Sequence, residues 1–201
     1  MRNREKIGIF FSVILIIIAL FFTISVKSTP PGIPQTTPEI KVSAIEPSEM
    51  ALQLSDVPAD FTILERTERT RSNTTQSELD FGWIKGYNVV YQRINSDGQV
   101  AEAVQQTIGV YPIENVSQVQ AYIKKFAVEF ANENVQVDEL SDPNIGDSSQ
   151  AFRIRNLNTQ MTIFIISFTK KNVVELIFAG GTSADYEQIK IITKTAAGKI
   201  K

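Results

Sequence analysis

From Ile7 to Val26 the chain runs for twenty residues without a charge. As a helix rising 1.5 Å per residue, such a run is roughly 30 Å long, the thickness of a bilayer's hydrocarbon core. Arg2, Arg4 and Lys6 precede it, with Glu5 the one acidic residue among them. Basic residues beside a span stay in the cytoplasm, so residues 1–6 are expected to be a cytoplasmic tail, with all that follows Val26 outside. A cleavable export signal has a shorter apolar core, about 7–15 residues, and a small-x-small exit. Here the exit reads TISVKSTPP, with Lys27 in the way. The expectation is an uncleaved, single-pass signal anchor over residues 7–26. A cleaved signal and a fully buried core helix are the alternatives.

Residues 27–47 hold Pro30, Pro31, Pro34, Pro38 and Pro47, five of the eight prolines in the chain. Proline fixes φ and lacks an amide donor, so this stretch reads as an extended extracytoplasmic linker. Twenty such residues hold a domain up to about 60 Å from the membrane. Residues 48–201 then suffice for one domain with a sizeable core.

Composition removes whole classes of chemistry. With no cysteine there is no disulfide, no thiolate nucleophile, no thiolate metal site and no lipidated anchor. With no histidine there is no Ser-His-Asp triad and no imidazole base or ligand. Twenty basic and 22 acidic residues give no basic stripe for phosphates, so nucleic acid is not an expected partner.

Periodicity within 48–201 predicts an α+β order. A short helix is expected over Ser48–Leu54 and an edge strand over Phe61–Thr70, where the alternating charges of ERTERTR discourage edge-to-edge pairing. Residues 71–82 read as a loop with at most one helical turn. Tyr87–Ile94 and Val100–Tyr111 read as strands joined by a hairpin through Asp97-Gly98. Val116, Val119, Ile123, Phe126 and Phe130 make one apolar stripe, so Asn115–Asn132 is the clearest helix, with Asn115 and Gln118 resembling a capping box. Short strands follow at Val135–Leu140 and Gln150–Arg155. Met161–Thr169 and Val173–Ala179 are apolar at nearly every position and must be covered on both faces. A last helix is expected to be capped by Thr182 or Ser183 and to run to about Gly198. The fold class expected is a three-layer α/β/α sandwich around one mostly antiparallel sheet, preceded by a single N-terminal transmembrane helix.

The segments LSDVPADFTILERTERT, GWIKGYNVVYQR and IGDSSQAFRI resemble exported proteins of archaea and bacteria with a PsbP-like fold, a likeness spanning about residues 52–200. The resemblance implies an α/β/α domain. It implies an accessory or assembly role on a membrane complex, or lipid binding as ascribed to some exported relatives. No catalytic motif comes with it, so no functional residue is carried over.

Several clusters invite chemistry. Asp138, Glu139, Asp142, Asn144 and Asp147 crowd a loop as calcium ligands do, but a calcium loop opening at Asp142 needs a glutamate where Arg153 stands; the alternative is a solvated acidic turn. Gly180-Gly181 precedes a helix without the Gly-Lys-Ser/Thr of a phosphate loop, so a strand exit is the plain reading. Phe81, Trp83, Tyr87 and Tyr91 could stack a sugar, line a lipid pocket or simply be core. Arg153 and Arg155 share a strand face and, with Lys170 and Lys171, could meet an anionic headgroup or acidic partner, or be a solvated face. Asn73 in Asn73-Thr74-Thr75 is a candidate glycosylation position, and Asn115 a weaker one.

The expected function is therefore a non-enzymatic, membrane-anchored interaction module contacting an envelope protein or complex, with no cofactor or metal. The alternative is a binder of a lipid or other apolar ligand between sheet and helix. Trp83, Tyr87, Arg153 and Arg155 are the candidate ligand or partner contacts.

Overall fold

The structure, a computed structural model, describes residues 46–201. The anchor and cytoplasmic tail read from the sequence lie outside the described residues, as does all of the linker but its last two residues. Among the described residues no helix is long and apolar enough to cross a membrane.

Seven strands form one sheet in the order β1-β2-β3-β7-β6-β5-β4. They are β1 Phe61–Arg69, β2 Lys85–Ile94, β3 Val100–Val110, β4 Val135–Leu140, β5 Ser148–Asn156, β6 Thr162–Lys170 and β7 Val173–Gly181. Every neighbouring pair is antiparallel. Two short helices, α1 Pro47–Met50 and α2 Gln76–Asp80, flank β1; α3 Val116–Glu129 and α4 Tyr186–Lys199 are the two long ones. The expected α+β class and antiparallel sheet are both present.

Side-chain alternation shows why β6 and β7 are apolar throughout. Phe164, Ile166 and Phe168 of β6 pack with Ile189, Ile192 and Ala196 of α4. Their neighbours Ile163 and Ile165 face the other way, against Ala127 of α3. α1 completes the α4 side with Met50, and the residues after it add Ala51 and Leu52. Helices thus cover both faces of the sheet, and a strand between them has no solvent side.

Local chemistry shifts several expected boundaries. Pro47, read as the last linker residue, is buried and opens α1. The first helix stops at Met50, not Leu54, because Gln106 Oε1 accepts the Leu52 amide at 2.8 Å and so removes it from a helical ladder. Asn115 makes no capping box: its side chain donates to the Phe81 carbonyl at 3.0 Å, and α3 ends at Glu129. Thr182 still follows β3, its amide bonded to the Ala101 carbonyl, and Ser183 is taken by Arg93 at 2.7 Å. The cap of α4 falls to Asp185, which accepts from the Gln188 amide at 2.9 Å.

Gly86 and Gly109 pair directly across β2 and β3. A Cβ on Gly86 would sit 2.5 Å from the Ile108 carbonyl oxygen and 3.1 Å from Trp83 Nε1; one on Gly109 would sit 2.7 Å from the Tyr111 ring. The two glycines let the Trp83 and Tyr111 rings approach the sheet backbone closely. Since backbone cannot yield as a side-chain tip can, Gly86→Ala is expected to cost about 1–3 kcal/mol of stability, read as a lower urea midpoint at unchanged slope.

Candidate functional site

On the α3 side the helix lies over β6 and β7, and beside it the face is open over β2 and β3. The resulting cleft holds about 1070 Å³ of empty space, part of it open to solvent. Its floor is the sheet: Asn88 and Val90 of β2, Ala103, Gln105, Thr107 and Gly109 of β3, and Val174, Leu176 and Phe178 of β7. Strand registry makes this a continuous surface, since Asn88 faces Thr107, Thr107 faces Leu176, and Gln105 faces Phe178. One wall is α3, through Val119, Tyr122 and Ile123; the other is Thr75, Glu78 and Phe81, on and beside α2. Phe81 and Tyr122 meet across the gap with ring centroids 5.5 Å apart.

The closed end is built from charge. Arg69, the last residue of β1, points inward and grips Glu78 with two bonds of 2.8 and 2.7 Å, the side chains 5% and 15% exposed. Thr75 caps α2 by accepting from the Glu78 amide at 3.2 Å, while Glu78 accepts from the Thr75 amide at 3.1 Å, a reciprocal capping box. Glu78 also accepts from the Thr75 hydroxyl at 2.9 Å and from Tyr111 at 3.2 Å. The Arg69 guanidinium lies over the Trp83 ring, 5.8 Å from its centroid. Burial pushes the Glu78 carboxyl up, but the bonds from Arg69 and Thr75 outweigh it and hold it below the usual range. Burial pushes the Tyr111 phenol well up, and Glu78 pushes it further.

The sequence candidates distribute unevenly around this cleft. Trp83 is on its side of the sheet but buried beneath Arg69. Tyr87 packs on the opposite face, with Arg66 stacked over it at 5.9 Å, so Trp83 and Tyr87 do not form one platform. Tyr91 is likewise on the α1 and α4 side, donating to the Leu52 carbonyl. Arg153 and Arg155 share a face as expected, and both donate to Asp138, at 2.9 and 3.1 Å. Lys170 does not join them; it donates to the Ala197 carbonyl at the end of α4. Asn73 accepts from the Thr70 amide at 2.7 Å in a tight turn.

The acidic loop disperses. Glu139 pairs with Lys124, Asp142 accepts from the Asn144 amide and the Ser149 hydroxyl, and Asp147 accepts from the Lys171 amide. Among the described residues no three His, Cys, Asp or Glu side chains gather to hold a metal ion.

No family model matches the sequence, and no curated protein matches it. A solved structure does. The chain is similar to the extracellular domain of PknH from Mycobacterium tuberculosis, with a TM-score of 0.60 at 12% identity, covering 76% of this chain and 93% of that one. At that identity the likeness is one of fold alone.

Arg69 and Glu78 were not singled out from sequence. The signal for Glu78 was present, because Thr75-Gln-Ser-Glu78 is the Ser/Thr-x-x-Glu pattern of a capping box. For Arg69 there was none, since its burial depends on the gap left by Gly86 across the strand pair.

Proposed function

We propose that this is a membrane-tethered, extracytoplasmic, non-enzymatic domain whose working part is the cleft, where it binds an apolar ligand. The observation that carries the reading is the cleft itself: a concave space over β2 and β3 lined by Val90, Phe178, Phe81 and Tyr122, with Val119, Ile123, Val174 and Leu176 packed together along its α3 edge. Concave, mostly apolar sites with a few polar groups are where small molecules bind.

Its charged groups suit binding better than catalysis. Among the described residues Glu78 is the one carboxylate lining the cleft, and its oxygens are committed to Arg69, Thr75 and Tyr111. A carboxylate held ionised by that many donors is a poor base. The extracytoplasmic placement draws support from the uncharged run at residues 7–26 and from the likeness to an extracellular domain. The three-layer, PsbP-like arrangement fits the helices found on both faces. In this account the loaded domain is what an envelope protein or complex would meet.

The test uses the full chain with N-phenylnaphthylamine, an uncharged dye that fluoresces in apolar surroundings, against Ala103→Phe, which puts a ring into the cleft from β3. Wild type is expected to enhance the dye with saturation, and Ala103→Phe to weaken the apparent affinity by at least about tenfold, as a filled cavity excludes its ligand. Equal binding by both proteins places the dye elsewhere and refutes the reading.

A further inference from the structure

The polar inventory of the cleft narrows what it can hold, granted that the cleft is a ligand site as proposed above. Among the described residues, Arg69 and Glu78 are the only charged ones lining it, and they are bonded to each other twice. An anionic headgroup would have to compete with Glu78 for the Arg69 guanidinium, whose Nε is without a partner but buried out of reach, and so weaken the pairing of a buried carboxylate; a cationic one would have to displace Arg69 from it. Both cost more than they return, because a buried charge that loses its partner is strongly destabilised. The cleft therefore presents no net charge to a ligand.

What it does present is a small uncharged polar patch in the middle of the sheet floor. Asn88, Gln105 and Thr107 sit side by side on β2 and β3, with Gln105 Nε2 donating to Thr107 Oγ1 at 3.3 Å. Asn88 Oδ1 is buried without a hydrogen-bond partner. A buried carbonyl left unpaired costs free energy, and a ligand donor brought to it removes that cost. On either side of the patch the floor returns to Val90, Leu176 and Phe178. Hydroxyl groups meeting Asn88 and an apolar body over Leu176 and Phe178 are what this pattern accommodates.

We propose that the ligand is an uncharged amphiphile of monoacylglycerol chemistry, an acyl chain on a hydroxyl-bearing head, and that the same chain carrying a phosphate or another full charge is rejected. The matched probes are 9,10-dibromostearoyl monoacylglycerol and the corresponding lysophosphatidate, which differ by a single phosphate. Bromine quenches tryptophan over a short range, and Trp83, the only tryptophan in the chain, is buried beneath Arg69 at the closed end of the cleft, one side-chain layer from its lining. The full chain is held in unbrominated phosphatidylcholine vesicles, and each probe is added with its partitioning measured separately.

The monoacylglycerol is expected to quench Trp83 at a concentration at least about tenfold below the lysophosphatidate, as displacing a paired buried charge predicts. Asn88→Val is expected to raise the half-quenching concentration of the monoacylglycerol about fivefold to tenfold, the loss of one hydrogen bond. Gln105→Leu gives the same readout should Asn88→Val fail to fold. Lysophosphatidate quenching as well as or better than monoacylglycerol overturns the uncharged-head inference while leaving the cleft a ligand site. Quenching by neither probe, or quenching that Ala103→Phe does not diminish, overturns the cleft reading and this inference with it.

Discussion

Arg69→Met is expected to lower the unfolding free energy by about 3–5 kcal/mol, because it leaves Glu78 ionised in a nearly closed site with no countercharge. The size follows from asymmetry. The intact pair contributes little net stability, since both ions were desolvated to form it, whereas removing one partner exposes the other's full desolvation cost. Arg69→Met combined with Glu78→Gln is therefore expected to lose less than Arg69→Met alone, as glutamine still accepts from Thr75 and Tyr111 without bearing charge. Urea unfolding of the four proteins closes the cycle. The wild-type acid limb carries the same information. The Glu78 carboxyl is lower in the folded chain than in the unfolded one, so its contribution is complete above the unfolded value near 4.3 and disappears as pH falls through the folded value. In Arg69→Met that part of the acid limb should flatten.

The second large effect has the opposite sign and lies on the other face of the sheet. Glu175 of β7 is fully buried, with Gln106 Nε2 donating to one of its oxygens at 2.7 Å and the other oxygen unpartnered. Burial pushes this carboxyl up to about 8, against which the Gln106 bond acts only weakly. The folded chain keeps a proton that the unfolded chain releases above about 4.3, so stability drains away as pH rises from there to about 8. At pH 7 the loss amounts to about 4 kcal/mol at one pKa unit per 1.36 kcal/mol. Glu175→Gln is uncharged at every pH and should be more stable than wild type at neutral pH by up to about that amount. Below pH 4 the difference should vanish. A wild-type stability that is flat between pH 5 and 8 would refute the assignment. Glu175 stands two bonds from the chain's entry into the domain, since Gln106 also accepts from the Leu52 amide, so its charge state bears on how α1 is held.

How far the sequence carried the fold follows from which patterns are local. The stripe Val116, Val119, Ile123 and Phe126 is set by helical geometry alone, and those residues are the buried side of α3. The turn at Asp97-Gly98 was legible because Gly98, with φ of 74°, takes a backbone conformation that other residues resist. The apolar run in β6 and β7 gave the double coverage of the sheet centre. The cleft could not be read this way. It depends on β7 returning to pair with β3, and on α3 lying over β5, β6 and β7 rather than over β2 and β3, both consequences of tertiary packing. Trp83 and Tyr87 looked like one aromatic cluster, but Trp83 precedes the first residue of β2, and the chain turns between them so that the two rings pack on opposite faces. Arg153 and Arg155 looked like free cations because Asp138 is distant in sequence and adjacent only through the pairing of β4 with β5.

Native mass spectrometry of the full chain, released gently from the membranes of the cells that make it, puts the ligand question most directly. Wild type should carry a discrete small-molecule adduct that organic extraction recovers as an uncharged apolar species, and Ala103→Phe prepared alongside should arrive without it. A wild-type chain that is bare, or an adduct that survives in Ala103→Phe, would contradict a cleft built to hold a ligand.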